Sequence, residues 1–379
     1  MSSGTAPGLS AEQADFPAIA NGAPTCTLIA YESQQGIKRD VDLLTAYIAR
    51  LGVQIRTKIT PPHQPTFVDA IATSGKARKL RLNRPALWAT KALQLAARAR
   101  TPRRHEIKVF LERLPLPDLL DNSYKIFIPN PEWLIPEDEW KLALLDLIAC
   151  KSRSATDTFS RRDLPTRYLG FTSVDHYSPD SKPDRHKYLH VASGGDQKGT
   201  AEILDAWRRH PEWPTLTVLA GKSPITSGVA IGATHNINII RRWVTDSELR
   251  SLIQQCGVHV CCSNAEGFGH TIMEGMSCGA LVITTDFPPM NELIDESRGI
   301  LVRTRSSVEM RSGRFARLER EDLEQAIHSS IALSEDAYRA KCRNARAWFL
   351  QARAAFEGRL TDLFNTLVEP RGRPGPTQR

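Results

Sequence analysis

Residues 263–294 read SNAEGFGHTIMEGMSCGALVITTDFPPMNELI, and this stretch decides the fold. Just ahead of it, Val258-His259-Val260-Cys261-Cys262 is an apolar run of the length expected for a buried parallel strand. Glu266-Gly267-Phe268-Gly269 is a Gly-rich turn. A helix carrying Ile272, Met273 and Met276 follows, and then a second apolar strand from Ala280 to Thr284. A strand–turn–helix–strand unit of this kind aims backbone N–H groups and a helix N-terminus at a place where a phosphate can sit. Glu266 and Glu274 bracket the turn and the first helical turns, so both carboxylates border one crevice.

Working outward, the chain supplies two halves of alternating strands and helices. Cys26 to Tyr31 reads as a strand, VDLLTAYIARLG as an amphipathic helix ended by Gly52, and Val53 to Arg56 as a second strand. Lys108 to Leu111 and Tyr124 to Ile128 are further strands, the latter running into Pro129-Asn130-Pro131-Glu132-Trp133. Ligands of open α/β sheets bind at strand ends, so Asn130 and Glu132 are candidate site residues; the competing reading is a Pro-fixed turn packed by Trp133. A helix from Asp138 to Leu147 and a short strand from Ile148 to Lys151 close this half. Residues 167–185 are polar and rich in Pro and Ser, and read as a linker. The second half opens with Lys187 to Ala192, a loop from Ser193 to Thr200, and a helix from Ala201 to Arg209. Leu216 to Lys222 and Asn238 to Ile240 are its next strands. Asp246 is a plausible N-cap for the helix after Trp243-Val244-Thr245. Beyond the central unit, Arg303 to Glu319 reads as a charged loop, followed by helices over Arg320–Ser334 and Asp336–Leu367.

At 379 residues the chain exceeds one ordinary core, and its 41% hydrophobic and 24% charged residues describe a globular protein of more than one domain. No apolar run approaches the ~20 residues that span a bilayer. Residues 1–24 lack a basic and apolar signal pattern and read as a disordered leader, and 368–379 as a disordered tail. The seven cysteines show no ligand spacing, which suits buried thiols in a reducing cytoplasm and argues against a metal. The net charge of +8 is unevenly placed: from Lys76 to Lys108 there are eleven Lys and Arg against Glu106 alone. A helix there, with Leu87, Trp88 and Leu95, suggests an anionic partner: a nucleic acid, a polysaccharide or an anionic membrane surface. A solvated basic helix with Trp88 in the core is the competing reading.

The pattern Glu266-Gly267-Phe268-Gly269-x4-Glu274, the small-residue stretch EGMSCGALVIT and Asn291-Glu292-Leu293-Ile294 resemble the donor site of retaining GT-B glycosyltransferases of the family-four type, the glycosyl transferases group 1. The resemblance implies an α/β fold of two Rossmann-like domains (25–166 and 186–340) facing a central cleft, with a helix at 341–367 crossing back to the first domain. It further implies transfer of a sugar from a nucleotide-sugar donor, with retention and without a metal or other cofactor. Glu266 then lies by the sugar hydroxyls, Glu274 on the donor ribose and Glu292 by phosphate or sugar. Asn130 and Glu132 sit where the family often carries a His or a carboxylate toward the transferred sugar. Lys198-Gly199, in the loop with Gly194, matches the pair that contacts the diphosphate, and Lys222 is a second cation. Lys198 as a plain surface charge remains the alternative. The N–H groups of Gly267, Phe268 and Gly269 face the leaving group, Thr271 also binds the donor, and the Val244 loop cradles the base. His270 either touches the donor or caps its helix.

Two departures stand out. The family's Gly-rich loop after the first strand is reduced to Gly36, and the usual diphosphate Arg is absent before Lys198. A sugar-nucleotide epimerase or hydrolase on the same scaffold, and a non-catalytic nucleotide- or polyanion-binding module, therefore stay open beside the transferase.

Overall fold

The computed structural model describes residues 24–31, 35–61, 91–92, 106–192, 196–221 and 235–368. The leader, the tail, Gly194, Lys222 and nearly all of the basic segment lie outside them.

The first domain is a six-stranded parallel sheet. Its strands are β1 (Thr25–Tyr31), β2 (Gln54–Thr60), β3 (Glu106–Leu111), β4 (Tyr124–Ile128), β5 (Leu147–Cys150) and β6 (Thr166–Tyr168), in the order β2-β1-β3-β4-β5-β6. Strands buried on both faces have to read as continuous apolar runs, which is how β3 (EIKVFL) and β4 (YKIFI) read. One face is covered by α1 (Gln35–Ala49), whose Ile37, Val41, Leu44 and Ile48 recur at helical spacing. The other face packs Phe110, Phe127 and Ile148 against Phe159 of α2 (Arg153–Ser160).

The second domain repeats the plan with β7 (Asp184–Val191), α3 (Thr200–Arg209), β8 (Thr215–Leu219), β9 (Ile237–Ile240), α4 (Asp246–Gln255), β10 (Cys256–Cys261), α5 (His270–Ser277), β11 (Leu281–Thr285) and β12 (Ile300–Val302). Its strand order is β12-β11-β10-β7-β8-β9, all neighbours parallel. The order reverses between β7 and β10, so the loops leaving those two strands diverge and open a crevice. In the first sheet the reversal falls between β1 and β3. The two crevices face each other.

Several local expectations change. Residues 166–168 finish the first sheet as β6 and Asp184 already opens β7, so the connection between sheets is shorter than the expected linker. The helix read at 138–147 is a single turn, Pro136–Glu139, running into a 3-10 segment, Trp140–Leu144. Arg303 to Glu319 is not a loop. It forms an antiparallel hairpin, β13 (Thr304–Met310) and β14 (Gly313–Leu318), turning at Arg311 with φ 56°. The stretch lacks an Asn-Gly or Asp-Gly turn signal, and its arginines mask the strand alternation. α6 (Arg320–Ala332) covers the second sheet. The last helix, α7 (Glu335–Val368), runs 34 residues and joins both cores. Its Phe356 meets Tyr47 of α1 edge-on at 5.5 Å and Phe171 of the connection at 5.1 Å, while Arg359 Nε donates to the Leu169 carbonyl at 2.6 Å.

Candidate active site

The Gly-rich turn leaves β10 and ends at Gly269, the N-cap of α5, with φ 109°. Ser263 Oγ donates to Glu266 Oε1 at 2.7 Å, and Lys198 Nζ reaches the same oxygen at 2.5 Å. Lys198 ends the 3-10 turn Asp196–Lys198, and Gly199 N-caps α3 in the left-handed region. The loops after β7 and β10 therefore meet at the switch point, and the cation and the carboxylate read from the sequence are joined there.

The first domain comes in from the opposite side. An added Cβ on Gly267 would sit 2.2 Å from Asn130 Oδ1 and 2.5 Å from its Cγ, so the glycine makes room for the Asn130 side chain against the turn. Asn130 Oδ1 in turn accepts from Lys151 Nζ at 3.0 Å. Lys151 is buried at the end of β5, 5.0 Å from the Phe171 ring centroid, and pairs with Asp40 of α1. Burial alone would raise the Asp40 carboxyl, but Lys151 and the hydrogen bond from His270 outweigh it and hold it below the usual range. Asp40 Oδ1 takes His270 Nε2 at 2.9 Å, and His270 Nδ1 lies 3.0 Å from Ser173 Oγ. Asp40 only accepts, so Nε2 carries a hydrogen. The single Ser173 hydroxyl hydrogen goes either to Nδ1 or to Glu274 Oε1, 3.2 Å away. Arg39 Nη1 meets the same Glu274 oxygen at 2.7 Å. One polar chain thus crosses the cleft from Asn130 through Lys151, Asp40, His270, Ser173 and Glu274 to Arg39.

Glu132 lies in the 3-10 turn Pro131–Trp133 and is 5% exposed. Burial pushes its carboxyl up to about 7, with the Glu266 charge adding to the rise and Lys151 opposing it. Glu112, at the end of β3 with φ 67°, is likewise raised by burial. The hairpin closes this side. Arg311 Nη1 donates to the Glu132 carbonyl at 3.4 Å and its guanidinium stacks over Trp133 at 5.2 Å. At the hairpin's base, Ala316 N–H donates to the Asn264 carbonyl at 2.7 Å.

The structure brings Glu266, Lys198, Gly267, Phe268, Gly269, His270, Glu274, Asn130 and Glu132 to one cleft and gives the other residues read from the sequence these partners. Glu292, expected by phosphate or sugar, is engaged with the first domain. Its carboxylate accepts from the N–H groups of Arg153 and Ser154 at 2.7 and 2.8 Å, capping the N-terminus of α2 across the domain boundary. Gly36 lies inside the first turn of α1 rather than in a loop. Thr271 turns back to the Cys261 thiol. Val244 packs partly buried beside Leu249, next to the exposed Trp243. The N-cap of α4 is Thr245, not Asp246, because Thr245 and Glu248 complete a capping box. His270 bonds across the cleft instead of capping its own helix. Among the described residues no group of three or more His, Cys, Asp or Glu is placed to hold a metal ion.

Arg39, Asp40, Lys151, Ser173 and Glu112 were not read from the sequence. Asp40 did leave a signal: it interrupts the apolar stripe Ile37, Val41, Leu44, Ile48, and a carboxylate on a buried face needs a partner. Lys151, directly after an apolar strand, is the same kind of signal.

Residues 174–332 match the family model described as glycosyl transferases group 1. The second domain belongs to the glycosyl transferases group 1. Within this family, a stretch of 116 residues is 32% identical to a GDP-mannose:cellobiosyl-diphosphopolyprenol alpha-mannosyltransferase of Xanthomonas oryzae pv. oryzae and 30% identical to its counterpart in Xanthomonas campestris. The match takes in 28% of this chain and spans 30% of the length of each relative. Solved structures match almost end to end. A sucrose-phosphate synthase from Thermosynechococcus elongatus superposes over 91% of this chain and 99% of its own, with TM-score 0.63 at 16% identity. A UDP-forming trehalose-phosphate synthase from Burkholderia xenovorans does so over 92% and 100%, with TM-score 0.58 at 12% identity. The fold is therefore GT-B, as the resemblance implied. No helix among the described residues is long and apolar enough to cross a membrane.

Proposed function

We propose that the protein transfers a sugar from a nucleotide-sugar donor to an acceptor, with retention at the anomeric carbon. The observation that carries this reading is the meeting, at two facing switch points, of the Glu266–Glu274 turn-and-helix unit and Lys198 with Asn130 and Glu132 of the first domain. A departing diphosphate needs positive electrostatics, and the oxocarbenium-like centre left behind needs a dry, negatively lined pocket. Lys198 and the N–H groups of Gly267, Phe268 and Gly269 serve the leaving group, so the reading assigns no role to a metal. Glu274 takes the donor ribose. Glu266, Asn130 and Glu132 surround the transferred sugar.

The acceptor is proposed to be anionic or presented on an anionic surface. The net charge of the sequence supports this, and so does the Xanthomonas relatives' acceptor, a diphosphopolyprenol-linked sugar by name.

The test is a binding panel of UDP- and GDP-sugars in EDTA, followed by turnover of the stabilising donor with and without acceptors. Glu274→Ala and Lys198→Ala should each weaken donor binding by ~1.5–3 kcal/mol, the loss of one charged hydrogen bond. Unchanged affinity in both would remove the assignment. Donor consumption that ignores every acceptor would favour a hydrolase or epimerase, and binding without turnover a non-catalytic module.

A further inference from the structure

We infer that Arg39, reaching over from the first domain, binds the diphosphate of the donor; the inference rests on the donor-site reading above. α1 leaves the C-terminal end of β1 at the first sheet's switch point, with its N-terminus toward the cleft. Its consecutive residues Arg39 and Asp40 land on Glu274 and His270, which are one turn apart on α5. Asp40 thus meets the first residue of α5, which brings its neighbour Arg39 to the side of the helix N-terminus where an anion is best held.

Two features of Arg39 point to a ligand beyond Glu274. Among the described residues Glu274 is the one ion-pair partner of its guanidinium, while the side chain remains 21% exposed at the cleft. A guanidinium offers five N–H donors in a fork that matches phosphate oxygens, so one carboxylate does not use up its capacity. In addition, α1 has no acidic residue in its first turn and carries Lys38 and Arg39 close behind. Cations there oppose the helix dipole, and Glu274 supplies a single compensating charge. A nucleoside diphosphate brings more than one.

Lys198 shows the same arrangement from the other wall, held on Glu266. Two cations, each parked on one of the two glutamates, thus bracket the N–H groups of Gly267, Phe268 and Gly269. This makes good the absence of an arginine ahead of Lys198: the second cation comes from the opposite domain, so the diphosphate is gripped only when the cleft is assembled.

Titration calorimetry of UDP, GDP and their parent nucleosides against the full chain tests this, comparing wild type, Arg39→Gln and Arg39→Lys. For whichever diphosphate the wild type binds, Arg39→Gln should weaken binding about 10-fold or more while leaving the nucleoside unchanged, and Arg39→Lys should fall between. Equal losses for nucleoside and diphosphate would mean that Arg39 only positions Glu274. Unchanged or tighter diphosphate binding would make it a cover over that carboxylate. Either result overturns the inference and leaves the donor reading standing. Failure of the wild type to bind either diphosphate would overturn both.

Discussion

Glu132 is a carboxyl held out of water with a second carboxylate, Glu266, in its field. Its folded value of about 7 lies above the ordinary 4.5, so the folded protein prefers the protonated form. The stabilisation from that form is complete below about 4.5 and is lost as the pH rises through 7. At ~1.36 kcal/mol per unit, the swing is on the order of 3 kcal/mol. Glu132→Gln imitates the protonated state, so urea unfolding near pH ~5 and ~8 should show wild type losing stability relative to the variant on the alkaline side. Parallel pH dependence in the two proteins would contradict this. His190 and His259 act in the opposite sense. Burial lowers both to about 4, so their contribution is present above about 6.5 and is lost as the pH falls toward 4. They are common to both proteins and drop out of the comparison.

At the scale of elements, the β13–β14 hairpin is the piece that touches both walls of the cleft. Its base hydrogen-bonds the loop that carries Glu266, and its tip lies on the turn that carries Glu132. Ser312 Oγ donates to Glu139 Oε1 at 3.2 Å and accepts from Arg162 Nη2 at 3.0 Å. An added Cβ on Gly313 would lie 2.8 Å from Glu132 Cα and 3.0 Å from its backbone nitrogen, contacts that no side-chain rotation relieves. Gly313→Val should therefore lift the tip at a cost of about 1–3 kcal/mol. Exposed hairpin tips are where proteases cut. Limited digestion with trypsin, read by mass spectrometry, should show faster cleavage after Arg311 in the variant than in wild type. Equal rates would show that the Gly313 contact does not hold the hairpin down.

For the whole molecule, the domains are joined by polar pairs at the cleft and by the apolar side of α7. Arg39–Glu274, Asp40–His270 and the capping of α2 by Glu292 tie helix to helix, while Phe349, Phe356, Leu360 and Phe364 bury the joint. These pairs are largely buried, so desolvation offsets much of their attraction and the apolar joint carries most of the coupling. Phe356→Ala removes a fully buried ring that meets both Tyr47 and Phe171 and should cost about 3–5 kcal/mol. Calorimetry should show one unfolding transition in wild type and two in the variant as the domains uncouple. A single transition shifted down intact would assign the coupling to the polar pairs.

The sequence by itself determined the two parallel sheets and the unit around Glu266 and Glu274. Buried parallel strands must be apolar runs, and a tight turn entering a helix must be Gly-rich, and both constraints act within a few residues. It also placed Asn130 and Glu132 at a strand end. Only the tertiary structure decided which charges meet. Lys151 and Asp40 are 111 positions apart and His270 and Asp40 are 230 apart, and no local pattern encodes a partner at such separation. Glu292 shows the same division: its carboxylate is legible as a site residue by motif, yet it lands on the N-terminus of α2 because the domains dock there. Strand and turn chemistry is local and is written in the chain, whereas the pairing of buried charges is settled by how the two sheets face each other.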